Sequence, residues 1–178
     1  MAVAAFLDRD GVINVDHGYV SRWEDFEFLP GVPEALLKLQ KSGYRLIVIS
    51  NQSGIGRGFY GEADLAKLNE CIAQHLHENL GIDITAFYHC PHHPTDALGD
   101  HLMQCECRKP APGMIFRAAR EHHIDLAESL LVGDKPSDIE AGKAAGVGRL
   151  FYVSPQTRSQ DLADSILVSS LGEVADSL

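Results

Sequence analysis

No run of apolar residues in this 178-residue chain approaches the length of a membrane-spanning helix. The opening MAVAAF has neither the basic leader nor the cleavage region of a secretory signal, so a cytoplasmic protein with no membrane partner is expected. Basic residues are scarce: 15 Lys and Arg stand against 25 Asp and Glu, a formal net charge of −10. Such a chain is repelled by nucleic acid and anionic membrane, and it carries no basic and aromatic stripe, so nucleic acid is not expected as a partner. A small phosphorylated ligand needs only a local concentration of cations. No repeat, low-complexity tract or linker divides the chain, and its length suits one domain spanning 1–178. The four cysteines are unevenly placed, three of them near histidines, which suggests metal before disulfides. Cys71 stands alone on a predicted helix.

Short apolar runs recur at VAAFL (3–7), YRLIVIS (44–50), ITAFYH (84–89), SLLVG (129–133) and RLFYV (149–153). Nearly continuous runs of this kind fit strands buried on both faces of a parallel sheet. Between them lie the helical patterns PEALLKLQKSG, EADLAKLNECIAQHLHENLG, PGMIFRAAREHH and PSDIEAGKAAG, with Gly43, Gly81 and Gly146 as stops and Pro136 in a first turn. The alternation predicts an α/β fold, a Rossmann-like open parallel sheet with helices on both faces. ILVSS and LGEVADSL add an edge strand and a last helix. Residues 11 to 30 and 90 to 110 read as irregular, and both follow strand carboxyl ends, where open α/β sheets bind ligands.

The stretch FLDRDGV places two aspartates around one arginine just past a strand. Continued alternation puts Asp8 and Asp10 on one side and Arg9 on the other. Carboxylates so close need a cation between them or a shared proton, the means by which a site obtains a nucleophile and an acid. D-x-D-G alone equally describes a turn. Partners follow other strands: Ser50 and Asn51 offer a hydroxyl and an amide to phosphate oxygens, and Asp134 and Asp138 offer oxygen ligands for a hard cation. Arg108 and Lys109 bring positive charge suited to a transferring phosphoryl group.

The segment YHCPHHPTDALGDHLMQCECRKP supplies C-x-H at Cys90 and His92, then C-x-C at Cys105 and Cys107. Three thiolates and one imidazole make a closed tetrahedral site for a structural zinc, with His93 as the alternative imidazole. The metal would fix the loop that leads into Arg108 and Lys109.

The ordered set FLDRDGV, VISN, RKP and VGDKPSD resembles the four motifs of the haloacid-dehalogenase (HAD) superfamily of phosphatases. That resemblance implies a phosphoaspartyl mechanism. Asp8 corresponds to the nucleophile, Asp10 to the general acid and base, and Ser50 and Lys109 to the groups holding the phosphoryl oxygens. Asp8, the Asp10 backbone carbonyl and Asp134 correspond to the magnesium ligands, with Asp138 supporting. NVDHGYV, NQSGIGRG and the zinc loop narrow the resemblance to zinc-containing members without a large cap that act on a sugar bisphosphate, on the route to bacterial lipopolysaccharide or another surface glycan. It then implies Asp16, His17, Gly18 and Tyr19 around the sugar, Asn51, Ser53 and Gly54 near the phosphate, Arg108 and Lys135 on the rest of the substrate, and a monomer. Histidinol-phosphate phosphatases share these motifs and are the nearest alternative. A zinc-dependent binding module without catalysis is a distant one.

Overall fold

The computed structural model describes residues 1–154 and 164–178. Among these residues six strands run Val3–Leu7 (β1), Tyr44–Asn51 (β2), Ile84–Cys90 (β3), Leu130–Gly133 (β4), Arg149–Val153 (β5) and Ile166–Val168 (β6). Six α-helices among them run Val32–Lys41 (α1), Ser53–Gly56 (α2), Glu62–Leu80 (α3), Gly113–His122 (α4), Pro136–Ala145 (α5) and Leu171–Asp176 (α6). All pairings are parallel, in the order β3-β2-β1-β4-β5-β6. The chain therefore winds outward from β1 in one direction and, from β4, in the other. The crevice of such a sheet lies between β1 and β4, where the order reverses.

Alternation along the strands sorts the core into two layers. Ala5, Leu7, Leu46 and Val48 face one side and meet Leu36 and Leu39 of α1, Leu68 and Ile72 of α3 and Val174 of α6. Ala4, Phe6, Ile47 and Ile49 face the other and meet Met114, Ile115 and Ala118 of α4 and Ile139 of α5. Burial of each Leu, Ile or Phe contributes about 1.5–3 kcal/mol, several times a residue's helix propensity, so these faces decide where the helices lie. Local chemistry decides where they start and stop. The Gly61 N–H donates to Asp64 Oδ2 at 2.8 Å at the head of α3, and α3 ends on Gly81 at φ 65°. Pro136 opens α5, as its sequence predicts.

The segments read as irregular contain single 3-10 turns at Trp23–Asp25 and Gly99–His101, and isolated bridges pair Asn14 with Phe28 and His93 with Leu102. The four-residue α2 has no sequence period to betray it. No helix among the described residues is long and apolar enough to cross a membrane.

Candidate active site

The strand β1 ends at Leu7, and the Asp8 N–H still donates to Val132 O of β4 at 3.0 Å. Asp8 is thereby held at the reversal point, buried. Lys109 Nζ lies 2.7 Å from Asp8 Oδ1, 2.7 Å from Asp138 Oδ1 and 2.9 Å from Ile49 O. The other Asp138 oxygen accepts from the backbone N–H groups of Asp134 and Lys135, each at 3.1 Å. Asp138 is thus fully occupied as a cap and as a partner of Lys109.

Asp8, Asp134 and Asp138 bring carboxylate oxygens within 4.8 Å of one another. Burial, aided by the carboxylates of Asp138 and Asp134 and opposed by Lys109, pushes the Asp8 carboxyl up to about 8. Burial and Asp138 raise Asp134 too. One lysine does not neutralise this group, and Asp134 Oδ1 is buried without a protein hydrogen-bond partner. Oxygen donors of this type, with an unsatisfied buried carboxylate oxygen, fit a hard divalent cation held by Asp8 and Asp134. The space is guarded by Gly11, at φ +87°, where any Cβ would collide with the Asp134 carboxylate.

Asp10 keeps its carboxylate at the surface of the cleft shared with Asp8, while Arg9 enters the layer of Val48 and Leu65, as strand alternation predicts. Arg9 is buried, and only its tip returns: Nη2 lies 3.0 Å from Asp10 Oδ1 and 2.6 Å from Val20 O.

Two hollows share Asp10, Asn51, Ser53 and Lys135 and so form one cleft. The first, about 310 Å³, is completed by Asp16, Gly18, Tyr19, Gln52, Gly54 and Tyr60. The second, about 360 Å³, is completed by Asp8, Arg108, Lys109, Pro110, Ser137 and Asp138. Tyr19 stands edge-on to Phe59, with ring centroids 4.8 Å apart, and Arg57 lies over its ring.

Three expected ligands also have protein partners. His17 Nε2 pairs with Glu27 at 3.1 Å, and its ring lines an adjoining hollow of about 440 Å³ that shares Gly18 and Tyr19 with the first. The Asn51 side chain is committed: Nδ2 donates to Lys109 O at 3.1 Å and Oδ1 accepts from Lys109 N at 3.0 Å. Its amide clamps the Lys109 segment to the end of β2. Ser50 lies beneath the cleft, buried, its Oγ accepting from Gln52 Nε2 at 2.5 Å, and the hydroxyl that lines the cleft after β2 is that of Ser53. Gln52 and Tyr60 were not singled out from the sequence. Gln52 sits inside the quoted NQSG run, whereas Tyr60 carries no local signal.

The cysteine cluster assembles as spaced. Cys107 Sγ lies 2.9 Å from Cys90 Sγ, 3.5 Å from Cys105 Sγ and 3.4 Å from His92 Nδ1. Cys90 Sγ lies 3.5 Å from Cys105 Sγ and 3.6 Å from His92 Nδ1. Ligands at about 2.0–2.3 Å from a tetrahedral zinc stand about 3.3–3.8 Å apart; the other four separations meet that spacing, and the Cys90–Cys107 pair at 2.9 Å must open by under 1 Å, roughly, for the set to close on the metal. His93 stands outside the set of four whose donor atoms lie within 4.8 Å of one another, and its Nδ1 instead accepts the Asp96 N–H at 3.0 Å. Burial raises the Cys90 and Cys107 thiols, so their thiolates need a cation. The cluster joins the cleft through Arg108, whose Nη1 donates to His92 O at 3.2 Å, and through Lys109, two residues past Cys107.

A family model described as HAD-hydrolase-like matches residues 106–178. The chain is 43% identical over 178 residues to a D-glycero-β-D-manno-heptose-1,7-bisphosphate 7-phosphatase of Salmonella typhi, covering 98% of this chain and 94% of that one. It is 42% identical to the protein of that name from Escherichia coli K12, covering 98% and 93%. The crystal structure of the D,D-heptose 1,7-bisphosphate phosphatase of B. bronchiseptica, complexed with magnesium and phosphate, superposes with a TM-score of 0.82 at 29% identity, covering 99% of this chain and 97% of that one. These matches run through the last 25 residues, which the four motifs do not reach.

Proposed function

Because the chain belongs to the family of the D-glycero-β-D-manno-heptose-1,7-bisphosphate 7-phosphatases, we propose that it is a phosphoric monoester hydrolase that removes the C7 phosphate of that sugar bisphosphate and leaves heptose 1-phosphate. One observation carries the reading at the level of residues: Asp8 and Asp10 open into the same cleft, beside Lys109 and a carboxylate cluster with an unsatisfied buried oxygen on Asp134.

An Asp8 carboxylate oxygen attacks phosphorus while the bond from phosphorus to the C7 oxygen breaks, and Asp10 gives that oxygen its proton. Asp10, now a carboxylate, takes a proton from water. The water oxygen bonds to phosphorus, the acyl phosphate opens and Asp8 is restored. Asp8, Asp134 and the Asp10 carbonyl would hold magnesium, which when bound would neutralise charge between an anionic nucleophile and an anionic substrate. Lys109 keeps Asp8 from carrying uncompensated charge, and Ser53 and Lys135 face the phosphate. Asp16, Gly18, Tyr19 and Gly54 form the wall against the sugar, with Arg108 at the rim. Zinc at Cys90, His92, Cys105 and Cys107 is structural, since four protein ligands close its shell. We place the enzyme in the cytoplasm as a monomer, since one chain supplies every cleft residue named here.

Phosphate release from the heptose bisphosphate and from histidinol phosphate, with and without magnesium, tests the assignment. Magnesium-dependent preference for the bisphosphate, a 1-phosphate left intact by phosphorus NMR and no activity in Asp8→Asn are expected. Preference for histidinol phosphate overturns the substrate, and an active Asp8→Asn overturns the mechanism.

A further inference from the structure

Two buried side chains have no part in that scheme, and both end on Asp10. Arg9 is 1% exposed, and one nitrogen, Nη2, makes its hydrogen bonds: to Asp10 Oδ1 at 3.0 Å, Asp10 Oδ2 at 3.2 Å and Val20 O at 2.6 Å. Its Nε and Nη1 have no hydrogen-bond partner, and the guanidinium borders a cavity of about 10 Å³ shared with Ser50, Gln52 and Asn69. A buried cation with two of three nitrogens unsatisfied weakens the fold relative to an apolar side chain of similar volume. Packing alone therefore does not account for an arginine here, and the nitrogen in use points to Asp10.

Gln52 is 3% exposed and approaches Asp10 from the β2 side. The Tyr60 hydroxyl donates to Gln52 Oε1, which leaves Nε2 to donate to Asp10 Oδ2 at 3.3 Å and to Ser50 Oγ at 2.5 Å. Burial pushes the Tyr60 phenol up to about 12, so the hydroxyl stays protonated and the amide keeps its direction. Asn14 Nδ2 adds a bond to Oδ1 at 3.0 Å.

We propose that Arg9 and Gln52 are positioning residues that hold the Asp10 carboxylate in line with the leaving-group oxygen. The proposal rests on Asp10 as the proton shuttle. Proton transfer demands heavy atoms about 2.6–3.2 Å apart, and Asp10 stands beyond the end of β1, next to Gly11, its backbone held by a single bridge to Asn14 and not by the sheet. Donors from β2 and from the turn after β1 replace that restraint. Through Val20 O, Arg9 also ties the shuttle to the loop carrying Asp16 to Tyr19, so the sugar wall and the proton donor share one anchor.

The test separates proton delivery from general packing by leaving group. Single turnovers with enzyme in excess are followed with the sugar bisphosphate, whose alkoxide must be protonated, and with p-nitrophenyl phosphate, whose phenolate leaves without a proton. Gln52→Leu is expected to slow the sugar reaction by about tenfold or more, a fraction of a general acid's usual 10²–10⁴, with the aryl reaction and, in parallel steady-state runs, the sugar KM changed by less than about threefold. Asp10→Asn should show the same discrimination in larger measure. Equal slowing of both substrates by Gln52→Leu, or a loss confined to KM, overturns the positioning role. Equal slowing by Asp10→Asn removes the shuttle reading beneath it, and with it the proposal. Should Gln52→Leu not fold, Arg9→Lys, which keeps the charge but not the fork on Asp10 and Val20, is expected to discriminate in the same sense, and uniform slowing there counts equally against the proposal.

Discussion

Asn51 is a single residue on which two ends of the cleft depend. Its amide exchanges two hydrogen bonds with the backbone of Lys109, whose ammonium reaches Asp8. Asn51→Ala should therefore lower unfolding free energy by about 1–3 kcal/mol, two hydrogen bonds at roughly 1 kcal/mol each. It should also cut kcat/KM by about 10²-fold through displacement of Lys109, with both read from urea unfolding and steady-state rates. A direct phosphate ligand would lose activity with stability intact. The sequence shows the kinds of residue gathered here: the aspartates of FLDRDGV, the VGD turn and the lysine of RKP all reach the cleft. It does not show which polar group is spent on another. Asn51, Ser50 and His17 carry the right chemistry for a ligand, yet each is bound to a protein neighbour, and that choice is made by residues distant in sequence or beyond the end of a regular element.

At the scale of elements, periodicity and caps were legible wherever an apolar face repeats. The six strands and the five longer helices coincide closely with their predicted runs. The exception is α2, whose SGIG has neither period nor propensity. It is held by tertiary approach, for a Cβ on Gly56 would strike Pro91 O and one on Gly54 the ring of Tyr60. This turn nevertheless presents Ser53 and Gly54 to the cleft. The helix α6 is the opposite case, made by local chemistry: Ser170 Oγ accepts the Glu173 N–H at 3.3 Å, and Glu173 Oε2 accepts the Ser169 N–H at 2.7 Å. Ser170→Ala should cost about 1 kcal/mol, the usual worth of an N-cap. Since α6 lies on the α1 side of the sheet and lines neither cleft hollow, kcat and KM should not change, as thermal melting beside an activity assay will show.

For the molecule as a whole, the sheet supplies a rigid frame, and a metal cluster supplies the order that residues 90–107 lack. Structural zinc contributes roughly 10–16 kcal/mol in small metal-dependent folds, far more than the Asn51 bonds. Removing zinc with a strong chelator should therefore lower the melting temperature and abolish phosphatase activity, although none of the four ligands lines the cleft. Zinc, and not excess magnesium, should restore both. Gln52 N to Cys90 O at 2.8 Å and Gly113 N to Glu106 O at 2.8 Å carry that order to either side.

The ion pair between Asp8 and Lys109 joins positions 101 apart in the chain. Contacts of such separation close late in folding, after local helices and turns have formed. The nucleophile consequently acquires its partner near the end of the folding reaction, and during synthesis it waits as an isolated carboxylate until more than half of the chain has emerged. A protein built in this way is inert as a hydrolase for most of its own assembly.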